Sequence, residues 1–287
     1  MNQWVWLTSA AAGVLVMLGC TGDDEVTEIT PVHDPALQVH DDDFIDGDAS
    51  TTGEPVKVTI DPFEGEDLTD WTMDPALWTA KDGMIVGKTD GEIPHNQFLI
   101  WNGGELKDFE LTCEMKLVGA NNSGIMYRAE VLSDIGPDVM RGYQCDVHTN
   151  QPFAAMLYDE RDRGIVATRG QKVVMTPDGK KLLLESAEEI PEIDVSEWNT
   201  YTVRAEGNVL THKLNGSAAA EIIDLQIEKA DLSGKLGFQV HRGKPMEIYI
   251  RNIRIETLPE GKILTEEDVE IPEGAAEVHG PKKKKSG

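Results

Sequence analysis

Positive charge is scarce in this sequence. Its 287 residues include 26 Lys and Arg against 52 Asp and Glu, which gives a formal net charge of −26. Such an excess of negative charge repels phosphate backbones and anionic lipid head groups, so nucleic acid is not an expected partner. Hydrophobic residues make up 40% of the chain, which is enough for a folded core and argues against a disordered protein.

Several motifs of common enzyme sites are also missing. The sequence has no phosphate-binding glycine loop, no Cys-x-x-Cys pair, no His-Glu-x-x-His motif and no nucleophile elbow. These absences argue against nucleotide-dependent enzymes, zinc ribbons, helical metalloproteases and α/β-hydrolases. Candidate site residues must therefore be sought among polar residues outside these motifs.

The N-terminus has the pattern of an export signal. Residues 4–18 are apolar, too few for a comfortable membrane span, and small residues precede Cys20. Met-Leu-Gly-Cys at 17–20 resembles a bacterial lipobox, although no Lys or Arg precedes the apolar run. We expect residues 1–19 to be a lipoprotein signal peptide, Cys20 to be lipidated, and the exported chain to be lipid-anchored to a bacterial membrane, in the periplasm or at the cell surface. An uncleaved N-terminal anchor is the alternative.

Two acidic segments flank the central region. Residues 20–55 are crowded with Asp and Glu and lack apolar periodicity, which predicts an acidic disordered tether. Residues 259–287 are acidic again and end in a run of lysines at 282–285, which predicts a flexible tail. The lysines could contact anionic lipid or remain solvated.

Residues 56–258 have the pattern of one all-β domain. Apolar and polar residues alternate along 109–117, 201–206 and 248–255, which indicates half-buried strands. Asn-Gly at 215–216 and Asp-Gly at 82–83 and 178–179 favour tight hairpin turns. Many short strands at this spacing predict a sandwich or jelly roll. Cys113 and Cys145 lie at apolar positions of such strands, where they could form a disulfide or remain two buried thiols.

Polar side chains repeat along one face of three predicted strands. The two-residue period sends Gln144, Asp146 and His148 to one side, and Gln239 and His241 follow the same pattern. Arg128 shares a face with residues 124 and 126. Together these groups could form a polar surface that hydrogen-bonds sugar hydroxyls, or they could be solvent-facing residues of an ordinary sandwich.

Several stretches, in order and spacing, resemble the 3-keto-disaccharide hydrolase domain family, also catalogued as domain of unknown function 1080. They are residues 62–71, 78–83, 122–128, 142–146, 197–199, 214–216 and 237–254. The resemblance implies a concanavalin-like jelly-roll sandwich of two curved antiparallel sheets. It also implies an enzyme that cleaves 3-keto-glycosides, in which the ketone at carbon 3 acidifies the proton on carbon 2 and permits elimination of the group on carbon 1.

The resemblance also suggests roles for individual residues. The base would be His148 or Asp146, while Arg128, His241 or a divalent cation would stabilise the enolate. Residues 158–161 resemble a following strand and loop of the family, in which Asp159 or Glu160 would be a second catalytic acid or a metal ligand, or merely part of a charged turn. We also assign substrate binding to Gln144, Tyr158, Gln239, His241 and Arg128. A possible divalent metal would be held by Asp146, His148 and His241, with Glu160 nearby.

One departure from the family pattern leaves other functions open. The motif at 142–146 has Gln144 where the family commonly has Glu, which removes a potential base unless Asp146 replaces it. A non-catalytic carbohydrate-binding surface lipoprotein is therefore the alternative, and a structural or adhesive protein is a third. Four tryptophans could stack on sugars or be buried anchors, namely Trp71, Trp78, Trp101 and Trp198.

Overall fold

The computed structural model describes residues 57–279. The predicted signal peptide, the lipidated Cys20 and the acidic tether all lie outside the described residues, as does the lysine run at 282–285. Within residues 57–279, no helix is long and apolar enough to cross a membrane.

The described residues are almost entirely strands and turns. The strands are β1 (Thr59–Ile60), β2 (Trp71–Thr72), β3 (Trp78–Lys81), β4 (Met84–Thr89), β5 (Gln97–Trp101), β6 (Phe109–Gly119), β7 (Asn122–Val131), β8 (Met140–His148), β9 (Leu157–Glu160), β10 (Gly164–Ala167), β11 (Gln171–Met175), β12 (Lys181–Ser186), β13 (Asn199–Glu206), β14 (Val209–Leu214), β15 (Ser217–Asp224), β16 (Lys235–Val240) and β17 (Met246–Thr257). Two short 3₁₀ helices span Gln151–Phe153 and Glu266–Asp268.

The strands form two sheets, which confirms the predicted all-β, concanavalin-like jelly-roll sandwich. A ten-stranded sheet has the order β12-β11-β15-β14-β13-β6-β17-β4-β3, with β1 paired to β17. A seven-stranded sheet has the order β10-β9-β8-β7-β16-β5-β2. Pairing is antiparallel except between β11 and β15, which run parallel. Sheet neighbours such as β6 and β17 are distant in sequence, as expected for a jelly roll.

The alternating pattern of the sequence places the core between the two sheets. Along β6 and β13, every second side chain is buried, and these side chains join one large apolar cluster with residues of β8 and β16. The predicted hairpin at 215–216 joins β14 to β15, and both turn residues have the positive φ that Asn and Gly tolerate. Cys113 and Cys145 are free thiols in this core, where burial raises the pKa of both.

The predicted flexible tail is wrong for residues 259–279, which pack on the ten-stranded sheet. Asn208 binds the backbone of Leu264 twice, through Nδ2 to its carbonyl oxygen (3.0 Å) and through Oδ1 from its N–H (2.7 Å). Val269 and Ile271 pack with a second apolar cluster that includes Val174. The apolar residues of this acidic segment are too widely spaced to show the period of a helix or a strand, so the sequence did not predict their packing. They nevertheless cover an apolar face of the sheet that the strands leave open.

Candidate functional site

A pocket opens on the face of the seven-stranded sheet that points away from the core. Strand β8 lies inside this sheet and sends Tyr143, Cys145 and Val147 into the core. Gln144, Asp146 and His148 point to the opposite face. The pocket has a volume of about 310 Å³, within the range of small-ligand sites. Its walls are formed by Asn96, Asn122, Gln144, Asp146, His148, Phe153, Met156, Tyr158, Glu160, Ile165, Gln239 and His241.

Strand register brings these side chains together from distant parts of the sequence. Asp146 pairs with Gly124 of β7, and Gln144 pairs with Tyr158 of β9. On the other side of β7, Phe238 of β16 pairs with Ile125, which places Gln239 beside the same face. Seven of the eight residues assigned from the sequence to catalysis or substrate binding therefore line one pocket.

Arg128 is the exception, and its assignment to substrate or enolate binding is wrong. The alternation of β7 breaks between Tyr127 and Glu130, and Arg128 has φ +46°, which redirects its side chain. The guanidinium is buried, donates to the carbonyl oxygens of Lys107 (2.7 Å) and Gly207 (2.6 Å), and pairs with Asp108 (3.3 Å). Arg128 therefore fastens two loops to the sheet and takes no part in the pocket wall.

Three polar side chains form a hydrogen-bonded chain across the floor of the pocket. Nε2 of Gln239 donates to Oε1 of Gln144 (3.0 Å), and Nε2 of Gln144 donates to Oδ1 of Asp146. The Gln144 side chain must cross β7 to reach Gln239, and it does so over Gly124. A Cβ at residue 124 would lie 2.6 Å from Gln144 Cδ, so only glycine leaves room for this crossing.

Asp146 is a protonated acid at neutral pH. It is 3% exposed, and burial raises its pKa to about 8, with the hydrogen bond from Gln144 opposing that shift and the negative charge of Glu160 reinforcing it. Because Gln144 donates to Oδ1, Oδ2 is left to carry the proton. A neutral carboxylic acid in a pocket can donate to a ligand oxygen or protonate a leaving group.

Glu160 and Tyr158 form the wall beside Asp146. Asn96 donates from Nδ2 to Oε1 of Glu160 (3.2 Å), while burial raises the pKa of this carboxyl group. Burial also raises the pKa of Tyr158, and the negative charges of Glu160 and Asp146 add to that effect. The tyrosine hydroxyl therefore stays protonated and can donate to a ligand.

His148 is held in one tautomer. The backbone N–H of Asn150 donates to its Nδ1 (2.9 Å), so in the neutral ring the proton resides on Nε2. Burial lowers the pKa of His148, and the charge of His241 lowers it further, so the neutral form dominates at neutral pH. The ring also packs edge-on against Phe153. His148 thus presents an N–H donor rather than a basic nitrogen.

His241 is held in the opposite tautomer. Its Nδ1 lies 2.6 Å from the carbonyl oxygen of Arg242, which can only accept, so Nδ1 carries the proton and Nε2 keeps a lone pair. Burial lowers the pKa of His241. Asn121 fixes the loop that follows β16 by donating from Nδ2 to the carbonyl oxygens of His241 (2.9 Å) and Lys244 (2.8 Å). His241 is therefore a positioned basic nitrogen.

Five residues that line the pocket were not predicted from the sequence, namely Asn96, Asn122, Phe153, Met156 and Ile165. The sequence could have indicated Asn122, because this residue begins a segment that resembles the family. Asn122 Oδ1 and Gln239 Oε1 are buried acceptors that have no hydrogen-bond donor among the described residues. Ligand hydroxyl groups would satisfy both. Asn96 lies in a loop without any motif, so only the fold reveals it.

The predicted divalent-cation site gains no support from this arrangement. Within residues 57–279, no three His, Cys, Asp or Glu side chains lie close enough together to hold a metal ion. Asp146, His148, His241 and Glu160 share the pocket without forming such a group. The metal therefore stays a prediction.

The tryptophans predicted as possible sugar platforms lie away from this pocket. Trp71, Trp78 and Trp101 are buried in the apolar core, at exposures of 5%, 2% and 6%. The ring of Trp198 is covered by the guanidinium of Arg251, 3.9 Å from its centroid. Among the pocket residues, the aromatic surfaces available to a ligand are those of Phe153 and Tyr158.

Three solved structures are examples of proteins to which this chain is similar. A candidate glycosyl hydrolase from Parabacteroides distasonis is 17% identical with a TM-score of 0.48, over 69% of this chain and 98% of that one. A carbohydrate-binding module, CBM66, from Bacillus subtilis is 16% identical with a TM-score of 0.47, over 68% and 100%. The laminarinase catalytic domain of Thermotoga maritima is 12% identical with a TM-score of 0.41, over 65% and 82%. No curated protein sequence matches the chain.

The sequence itself matches a protein family along most of the sandwich. Residues 59–256 match the model of the 3-keto-alpha-glucoside-1,2-lyase-like domain, which confirms the family resemblance identified from the sequence. The match begins at β1 and ends within β17, so it includes every residue of the pocket. The chain therefore belongs to the 3-keto-alpha-glucoside-1,2-lyase-like domain family and carries a carbohydrate-active domain of the glycosidase type.

Proposed function

We propose that this protein cleaves 3-keto-glycosides by eliminating the group on carbon 1 of the sugar. The observation that carries the proposal is the composition of the pocket. The pocket contains the carboxyl group of Asp146, which has a pKa of about 8. It also contains the imidazoles of His148 and His241, which are held in opposite tautomers. An elimination needs one acid, one base and one donor to the developing enolate oxygen.

His241 is the base in this proposal. Its Nε2 takes the proton from carbon 2, which the ketone at carbon 3 has made acidic, and the electron pair of that bond moves into the ketone to form an enolate. When the ketone re-forms, this electron pair makes a double bond between carbons 1 and 2, and the bond from carbon 1 to the glycosidic oxygen breaks. Nδ1–H of His241 donates to the Arg242 carbonyl oxygen, which stabilises the ring as it becomes charged.

Asp146 is the acid, and His148 stabilises the enolate. The proton on Oδ2 of Asp146 passes to the departing oxygen, which leaves as a neutral alcohol. The Nε2–H of His148 donates to the ketone oxygen, where negative charge develops. Return of the proton from His241 to Asp146 through water restores the site, and addition of water across the new double bond completes a net hydrolysis. These roles differ from the sequence-based assignment, which made His148 or Asp146 the base and His241 an enolate stabiliser.

The remaining polar groups bind the sugar. The unpartnered acceptors Asn122 Oδ1 and Gln239 Oε1 take hydrogen bonds from ring hydroxyls. The Tyr158 hydroxyl donates to the ligand. Gln144 holds Asp146 in place, so a glutamine at this position has a positioning role.

Product release from 3-keto-glucosides tests the proposal. The full-length chain is compared with three variants, His241→Gln, Asp146→Asn and the control Arg254→Gln, whose side chain lies on the other sheet. We expect His241→Gln to lose at least about a hundredfold in kcat, because general base catalysis contributes about this much. Asp146→Asn should lose activity on alkyl 3-keto-glucosides, whose leaving group needs a proton. It should retain much of its activity on 4-nitrophenyl 3-keto-glucosides, whose leaving group departs without protonation.

The pH profile and a chelator extend this experiment. His241 must be neutral and Asp146 protonated, so kcat/KM should rise as pH increases through the lowered pKa of His241 and fall again near pH 8. Loss of turnover after chelation would support the predicted divalent metal. Binding of 3-keto-glycosides without release of any product would disprove the lyase proposal and favour a carbohydrate-binding protein.

We also propose that the chain is exported and anchored to a bacterial membrane through a lipid on Cys20. The support is the lipobox-like sequence at residues 17–20. Incorporation of labelled palmitate by bacteria that express the chain tests this proposal. The label should be present in the wild-type chain and absent from Cys20→Ala, and an unlabelled wild-type chain would contradict the proposal.

A further inference from the structure

A second cavity adjoins the pocket on the side of Glu160 and His241. It has a volume of about 410 Å³ and shares four residues with the pocket, namely Asn96, Tyr158, Glu160 and His241. Three further residues complete its wall, and all three are basic: His95, Arg161 and Arg242. A ligand that fills the pocket and extends past Glu160 therefore enters a space lined by arginine. We call this space the rim cavity.

The two arginines of the rim cavity are unusual in such an acidic chain. Six of the nine arginines between residues 57 and 279 have a carboxylate within ion-pair distance. Arg161 and Arg242 are among the three described arginines without one, although Asp and Glu outnumber Lys and Arg by 52 to 26. The carboxylate of Glu160 lies in the same wall but does not pair with either. Their guanidinium groups are thus available to an anion.

The backbone holds both arginines at the rim. Nη1 of Arg242 donates to the carbonyl oxygen of Pro94 (3.1 Å), and the Arg242 N–H donates to Oδ1 of Asn96 (3.2 Å). Arg161 follows β9 directly and has φ +64°, so a left-handed turn sets the direction of its side chain. Asn96 also binds Glu160, which connects the rim cavity to the pocket wall.

We propose that the rim cavity binds an anionic group, a carboxylate or sulfate, on the unit attached to carbon 1 of the sugar in the pocket. This inference rests on the proposed function, because it assumes that a sugar occupies the pocket. Guanidinium groups bind both anions through paired N–H donors, and two arginines flanking one cavity suit a uronic acid or a sulfated sugar as the leaving unit. A neutral leaving unit would leave both arginines without a partner.

Equilibrium binding to unoxidised disaccharides tests this site without requiring turnover. The full-length chain is titrated calorimetrically with glucosyl-glucose, glucosyl-glucuronic acid and glucosyl-glucose 6-sulfate. We expect the charged disaccharides to bind about five- to tenfold more tightly than the neutral one, since two exposed ion pairs contribute modestly. This preference should shrink at high salt because the arginines are exposed to solvent.

The variants identify the arginines responsible. In Arg161→Gln/Arg242→Gln the preference should disappear while affinity for glucosyl-glucose is unchanged, and the surface variant Arg254→Gln should behave like wild type. Preference for one charged disaccharide alone would identify the anion as carboxylate or sulfate. Equal affinity for all three, or no measurable binding of any, overturns the anionic site. Failure of 3-keto-glycoside turnover with the preference intact would instead disprove the proposed reaction and leave this site standing.

Discussion

At the scale of single residues, the protonation of Asp146 affects stability as well as chemistry. Its folded pKa is about 8 against an ordinary value of 3.8, so between these values the folded state holds a proton that the unfolded chain has released. Stability is therefore lost as pH rises from about 4 to 8, by at most about 1.4 kcal/mol per pH unit from this group. Burial of the carboxyl group is the cause of the shift.

Asp146→Asn should remove this dependence. Asparagine keeps the acceptor that Gln144 binds but has no proton to release, so the variant should gain stability relative to wild type as pH increases from 5 to 8. Urea denaturation at several pH values measures the difference. If the unfolding free energies of the two proteins changed with pH in the same way, Asp146 would already ionise near its ordinary pKa in the folded state.

Gly124 determines whether Gln144 can reach Gln239. Gly124→Ala places a methyl group 2.6 Å from Gln144 Cδ, so the glutamine must move and its hydrogen bonds to Gln239 and Asp146 break. We expect a loss of about 1–3 kcal/mol in unfolding free energy, typical of overpacking. The pKa of Asp146 should rise above 8, because the donor that lowers it is gone, and this moves the alkaline limb of the activity profile upward.

A double-mutant cycle with Gln144→Ala tests the cause of this effect. Once Gln144 has been truncated, the methyl group at residue 124 meets no side chain there, so Gly124→Ala should cost less stability in that background than in wild type. Equal costs in the two backgrounds would place the clash elsewhere.

At the scale of elements, a buried ion-pair cluster ties the two sheets together beneath the β9–β10 turn. Nη1 of Arg163 lies 2.7 Å from Asp224 Oδ2 on β15, and Nε lies 2.5 Å from Asp159 Oδ2 on β9. Tyr143 of β8 donates to the same oxygen of Asp224 (2.6 Å). The cluster supports the strand from which Glu160 projects into the pocket.

Arg163→Met should destabilise the protein by about 3–5 kcal/mol, because it leaves two buried carboxylates without their cation. The matched control is Arg141→Met, whose partner Glu130 is exposed and whose loss should cost about 0–1 kcal/mol. Urea midpoints of the two variants provide the comparison. Similar midpoints would mean that water or rearrangement compensates the buried charges.

Local alternation in the sequence predicted the strands and the face that each side chain occupies. Strand β8 illustrates this, because its two-residue period correctly separated Asp146 from Cys145. The same rule failed at Arg128, where a bulge and a positive φ reverse the direction of the side chain. It also could not indicate Asn96 or the tautomers of His148 and His241, which depend on backbone groups of neighbouring loops.

At the scale of the whole molecule, residues 259–279 extend the domain beyond the family match. They cover an apolar cluster on the outer side of the ten-stranded sheet, formed by Val174, Ile223 and Leu225. Val278 N–H donates to the carbonyl oxygen of Lys181 (2.7 Å), and Leu183 N–H donates to that of Ala276 (2.9 Å), which fastens the segment along β12. The pocket lies on the other sheet, so this segment supports stability without contacting the ligand.

Truncating the two larger apolar contacts of this segment should therefore separate stability from activity. Leu264→Ala/Ile271→Ala removes half-buried side chains from the cluster and should lower the unfolding free energy by about 2–4 kcal/mol, less than two fully buried truncations would. Turnover of a 3-keto-glycoside below the melting temperature should be unchanged. The exposed control Glu267→Ala should retain both properties. If the apolar variant unfolded at the same urea concentration as wild type, the packing of Leu264 and Ile271 would not contribute to the stability of the domain.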